Sequence, residues 1–161
     1  MQKDKVALGL LRIFLGFIFL WAFLDKLLGL GFATKSADAW IRGGSPTLGF
    51  LKNAAKGPLA NFYHAIAGTP VVNWMFMLAL LLIGLGLILG IAMNLTVAGG
   101  TALFLMMWSA VLPPSSNPII DDHIIYILVL FVLLFLNAGD YLGLGKKWKS
   151  LRFVKKNKLL K

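Results

Sequence analysis

Four long apolar runs divide the chain. The first extends from about Val6 to Leu30, interrupted by Arg12 and by the pair Asp25–Lys26. The second, Trp74 to Met93, holds 20 residues without a charge, and the third, Leu95 to Leu112, follows after the single polar residue Asn94. A connection this short makes the two an antiparallel hairpin. The third run stops at Pro113–Pro114, because proline lacks the amide hydrogen a helix needs and restrains the residue before it. The fourth extends from about Ile119 to Ala138; its uncharged part, Ile124 to Gly139, has 16 residues, or about 24 Å of helix. A helix of about 20 apolar residues spans a bilayer core. The pattern therefore predicts an all-α integral membrane four-helix bundle with spans at about 6–30, 74–93, 95–112 and 119–138. The polar start of the fourth lies at or slightly inside the interface.

The first run reads as a retained anchor, since Arg12 breaks the apolar core of a cleavable signal and Ala33-Thr34-Lys35 is a poor cleavage site. The segment 31–73 between the first two spans is long enough for short helices of its own. Ser36 can open one ending at Gly43–Gly44, Ser45–Pro46 a second ending at Gly57, and Pro58 a third ending at Gly68. Leu48, Leu51 and Ala55, then Leu59, Phe62 and Ile66, recur at helical spacing. These two helices either lie on the outer membrane surface as a lid or fill space on the bundle, and filling is the simpler reading.

Composition agrees with lipid as the solvent. Hydrophobic residues make up 59% and charged residues 14%, with a mean hydropathy of +0.83, whereas soluble domains are about 25% charged. Six acids and sixteen bases cannot cover a water-facing surface of this size without wide apolar patches. The net charge of +10 is concentrated: eight of the sixteen bases lie between Lys146 and Lys161, where there is no acid. Residues 1–145 thus form the transmembrane domain and 146–161 a basic tail. Trp148, Leu151, Val154 and Leu159 can share one side of a tail helix, the pattern of a segment on an anionic leaflet; nucleic-acid binding is the weaker reading. Lys3, Lys5 and Arg12 make the other end basic too, which puts both termini in the cytoplasm of a multi-pass plasma-membrane protein.

The chain has no cysteine, so disulfides, thiol relays, cysteine-held iron–sulfur clusters and thiolate zinc sites are excluded. Glutamate is absent as well, leaving six aspartates as the side-chain carboxylates. His64 and His123 are the two histidines; bis-histidine haem would need both in one pocket, and a metal at Asp121, Asp122 and His123 lacks a spaced partner ligand. No haem, flavin or iron–sulfur motif is found, and no metal site is expected.

Ionisable groups at membrane depth cost about 2.5–3.5 kcal/mol each on insertion scales. Arg12, Gly16, Phe19, Phe23 and Lys26 advance by four, three, four and three, forming one helical stripe with a cation toward each membrane face, about 21 Å apart. Either cation can instead snorkel to headgroups. Asp25 points elsewhere on the helix and can pair with another segment. The densest polar cluster is Asn117 to Tyr126: Asp122, His123 and Tyr126 share a helical face, and Trp108 and Ser109, with Asp25 and Lys26, lie at the same outer level. A carboxylate, an imidazole and a phenol can bind and protonate a quinone head group. Helix capping by Asp121 or Asp122, with Tyr and Trp as an interfacial belt, is the structural alternative.

Three stretches, LRIFLGFIFLWAFLDKLLG, MLALLLIGLGLILGIAMNLTVAGGTALFLMMWSAVLPPSSNP and DDHIIYILVLFVLLFLNAGDYLGLGKKW, resemble the DoxX/DoxD family of small four-helix membrane proteins over nearly the whole chain. The resemblance rests on the order of glycine-rich spans and on Arg12 and Lys26. It implies a membrane subunit of a redox system, in one branch a thiosulfate:quinone oxidoreductase, working with a partner oxidoreductase subunit. On that reading Asp122, His123 and Tyr126 handle protons, while Arg12, Lys26, Asp25 and Trp108 surround the quinone. A non-catalytic anchor or assembly protein for such a partner is the alternative, and a small-solute transporter or lipid-binding protein a third.

Overall fold

The computed structural model describes residues 2–115 and 117–160, and every regular element among them is helical. Helix α1 (Lys3–Leu28) ends at Gly29, whose φ of 67° turns the chain out of the helix while its amide donates to the Asp25 carbonyl at 2.8 Å. Glycine takes that left-handed conformation without a side-chain clash. The following segment contains short helical pieces, as the turn signals predict, but the first is a pair of 3₁₀ turns, Ser36–Asp38 and Trp40–Arg42. Ser36 caps nothing; its hydroxyl instead accepts from Arg42 at 2.7 Å. Helix α2 (Leu48–Asn53) follows, then a 3₁₀ turn at Gly57–Leu59 that leads into helix α3 (Ala60–Ile66).

Helix α4 (Pro70–Leu89) starts one turn earlier than the apolar run. Pro70 occupies its first turn, where proline's preset φ suits a helix and its missing amide costs nothing. The polar Asn73 is buried there because Ser45 and Thr47 donate to its oxygen at 3.0 and 2.6 Å and it donates to the Gly68 carbonyl at 3.2 Å. α4 also ends one turn before the apolar run does, at Leu89, so Gly90–Ala92 connect it to helix α5 (Met93–Ala110), and Asn94, expected as the connection, lies in the first turn of α5. Helix α6 (Asp122–Phe135) has 14 residues, about 21 Å, and is shorter at both ends than the apolar run. Asn117 ties up the preceding turn by accepting from the Ile119 and Ile120 amides at 3.0 and 2.6 Å. At the other end Asn137, with a φ of 52°, diverts the chain into a 3₁₀ turn at Ala138–Asp140.

α1, α4, α5 and α6 share one core that includes Phe19, Met77, Leu87, Val97, Leu130 and Leu133. α1 and α4 approach backbone to backbone at two glycines: a Cβ on Gly16 would lie 2.8 Å from Leu87 Cβ, and one on Gly84 2.8 Å from the Leu20 nitrogen. Small residues permit such approach between apolar helices. The outward faces are just as apolar, with Phe14, Phe17, Leu82 and Leu128 more than half exposed. α1, α4 and α5 are long and apolar enough to cross a membrane. A lipid bilayer is the environment these surfaces fit.

The basic tail is not one continuous helix. Leu151, in extended conformation, separates helix α7 (Gly145–Ser150) from helix α8 (Arg152–Lys156), and a 3₁₀ turn follows at Lys158–Leu160. Of the four apolar positions assigned to one face, Val154 is buried, whereas Leu151 and Leu159 are exposed.

Candidate functional site

Arg12, the first intramembrane cation, lies on the buried face of α1 and is fully enclosed. Its Nη1 donates to the Leu87 carbonyl and, at 2.9 Å, to that of Ile88; Nη2 donates to Tyr141 and Leu142 at 3.0 and 3.1 Å; Nε donates to Ala138 at 3.2 Å. A guanidinium carries five N–H donors, so all of them are used on carbonyls. Leu87 and Ile88 are in the last turn of α4, where the helix dipole is negative and the carbonyls lack helical partners. Arg12 is therefore a clamp between α1, the end of α4 and the turn after α6. It neither snorkels nor has a donor left for a quinone, which corrects its assignment as a binding residue.

Asp25 and Trp108 are also committed within the fold. Asp25 is buried, and its two carboxylate oxygens accept from the Phe32 and Ala33 amides at 3.2 and 3.0 Å, fixing the turn after α1. It pairs with its own loop rather than with another span. Trp108 Nε1 donates to the Ile119 carbonyl at 2.7 Å and ties the end of α5 to the approach to α6.

At the start of α6 the acid that meets the imidazole is Asp121, not Asp122. Asp121 caps the helix: Oδ1 accepts from the His123 and Ile124 amides at 3.0 and 3.4 Å, and Oδ2 lies 2.7 Å from His123 Nδ1. Asp122 is exposed. Phe104, buried on α5, joins the rest, with its ring centroid 5.9 Å from that of His123 and 5.3 Å from that of Tyr126. His123 and Tyr126 thus flank a filled aromatic contact, and Asp122 does not join them.

Lys26 has a different setting. It lines a cavity of about 320 Å³ between α4 and α5 at the C-terminal end of α1, and neither His123 nor Tyr126 is part of that lining. Phe76 and Ala79 of α4 and Leu103, Met106 and Met107 of α5 form apolar walls, and α2 and α3 add Phe50, Leu51 and Tyr63 on another side. Among the described residues, Lys26 is the one charged side chain in its lining. The ion pairs among the described residues, His123–Asp121 and Lys149–Asp140, do not include it. The Tyr63 hydroxyl donates to the Met106 carbonyl at 3.0 Å, with Ser109 Oγ 2.6 Å away, and so fastens α3 to α5 at the rim. Ligand pockets are apolar spaces of about 300 Å³ or more with few polar groups, and this cavity is at the small end of that class.

Of the sequence candidates only Lys26 lines the cavity. Tyr63 and Thr47, which help to form it, went unrecognised: one phenol or hydroxyl in a polar loop carries no periodic signal. The α2–α3 segment packs against the bundle through Leu51, Ala55 and Tyr63, which meet Ala110 of α5, and it also walls one side of the cavity. No family model, curated protein or solved structure matches this chain.

Proposed function

We propose that the protein is a multi-pass plasma-membrane subunit of a redox system, similar to the DoxX/DoxD proteins, that receives a quinone head group in the Lys26 cavity. The observation that carries this reading is an apolar, aromatic-lined space of about 320 Å³ with a single lysine, Lys26, in its lining. A quinone ring is flat, apolar on its faces and accepts hydrogen bonds at its two carbonyls. Phe50, Phe76 and Tyr63 suit the faces, and Lys26 Nζ can donate to one carbonyl. The isoprenoid chain would leave through the open side into lipid. Reduction to the neutral quinol takes two electrons, which a partner oxidoreductase would deliver, and two protons, which solvent water at the cavity mouth would supply; Lys26 would donate a hydrogen bond to the carbonyl oxygen as negative charge builds on it.

In this reading α6 is the fourth span, its short apolar length extended by the turns at either end. Both basic termini face the cytoplasm, as positive-inside statistics favour, and the cavity opens near the outer leaflet. His123 belongs to the helix cap rather than to the quinone site.

The test is binding of a short-chain quinone to the detergent-solubilised protein, read by quenching of tryptophan fluorescence. Trp74 adjoins the cavity residue Met75 and packs on Trp40 with ring centroids 4.6 Å apart. Saturable quenching is expected, weakened at least tenfold, about 1.4 kcal/mol, by Lys26→Met and unchanged by His123→Ala. Absence of saturable quenching, or equal affinity in Lys26→Met, overturns the quinone reading in favour of an anchoring protein.

A further inference from the structure

The tail contributes seven described bases, Lys146, Lys147, Lys149, Arg152, Lys155, Lys156 and Lys158, and one of them is neutralised within the chain. Lys149 pairs with Asp140 at 2.9 Å and donates to Asn137 at 3.1 Å; the other six are exposed. The segment is folded despite its charge. Val154 is completely buried, Trp148 Nε1 donates to the Leu160 carbonyl at 2.5 Å, and the Trp148 and Phe153 rings meet edge to face at 5.6 Å. Asn94, in the first turn of α5, donates to the Lys158 carbonyl at 2.7 Å, and the Leu144 amide donates to the Leu89 carbonyl at 2.8 Å. These bonds hold the tail against the α4–α5 hairpin, at the level where the apolar helices end.

We infer that this folded tail is a preformed docking surface for anionic phospholipid headgroups in the leaflet on the side of both termini. Three observations select that occupant. The six unpaired cations have no acid among residues 141–160 to answer them. Leu151, Phe153 and Leu159 are interleaved with those cations and keep 41, 55 and 63% of their surface exposed, Phe153 even with one edge on Trp148. The tail is also tied to the helix ends, so bases and apolar side chains meet the headgroup layer together, as in amphipathic segments that bind anionic membranes. An acidic protein or a nucleic acid would satisfy the charges but would leave the membrane-level apolar side chains unexplained. Because the fold already exists, docking needs no ordering of the segment. This proposal is independent of what occupies the Lys26 cavity.

The absence of cysteine allows a clean test. Phe153→Cys would carry the sole thiol, labelled with an environment-sensitive fluorophore in the full chain reconstituted in vesicles. In vesicles with about one third phosphatidylglycerol, quenching by spin-labelled acyl chains is expected to be at least threefold greater than in pure phosphatidylcholine. It should fall toward the neutral-lipid value at high salt, since screening lengths shorten to about 3 Å at 1 M. Lys155→Glu/Lys156→Glu in the labelled chain should abolish the lipid dependence, and thermal melting of the same variant verifies that the bundle is folded. Equal quenching in neutral and anionic vesicles overturns the proposal. So does a label that responds to an acidic peptide or to RNA but not to anionic lipid.

Discussion

Two cations on one face of α1, fourteen residues apart, have opposite fates. Arg12 meets five carbonyls at the end of α4 and around the turn after α6, so its charge is answered by backbone dipoles rather than by a carboxylate. Lys26 meets a space. The difference predicts a split between stability and function. Arg12→Met leaves buried carbonyls without donors and should cost about 3–5 kcal/mol, a melting point roughly 10 °C lower in detergent. Arg12→Lys, with three donors on a flexible stem, should fall between the two. Lys26→Met should leave the melting point within a few degrees, and the reverse order would contradict the two roles. The unusual cost of both cations was legible in the sequence, as was their common stripe. Which was structural was not, because the partners of Arg12 lie 75 to 130 residues away and are carbonyls, which every residue supplies.

Among the elements, apolar length was easy to read and termini were not. The runs that become α1, α4 and α5 stand out because a helix facing lipid on one side and a core on the other needs no polar face. α6 is the informative case. Its apolar run covers about 119–138, yet Asn117, the Asp121 cap and the left-handed Asn137 trim the helix to 14 residues. For this element to cross, the flanking turns must complete the span. Single cysteines at the exposed positions Ser115 and Lys147, before and after α6, should then react with a membrane-impermeant maleimide from opposite sides of intact cells. Labelling of both from one side would show that α6 does not cross. The tail lost its single-helix reading at Leu151, where spacing suited a helix but backbone conformation and the burial of Val154 favoured a folded clip.

For the whole molecule, the polar groups sort by depth and by task. Arg12 fastens the end near the termini, Asp25, Asp121 and Trp108 fasten the opposite end, and Lys26 remains beside an apolar cavity. The polar cluster from Asn117 to Tyr126 stands out in the sequence because its residues are adjacent. The cavity does not, because its walls come from α1, α4, α5 and the α2–α3 segment. Tertiary packing alone brings those positions together, and no spacing rule along one helix records it. The most direct measurement is photo-crosslinking with an azido-quinone followed by mapping of the labelled peptides. Label on Met75, Phe76, Met106 or Met107, lost with Lys26→Met and competed by unlabelled quinone, is the result predicted. Label confined to the His123–Tyr126 stretch, or label at the cavity that persists in Lys26→Met, would contradict a quinone site built around Lys26.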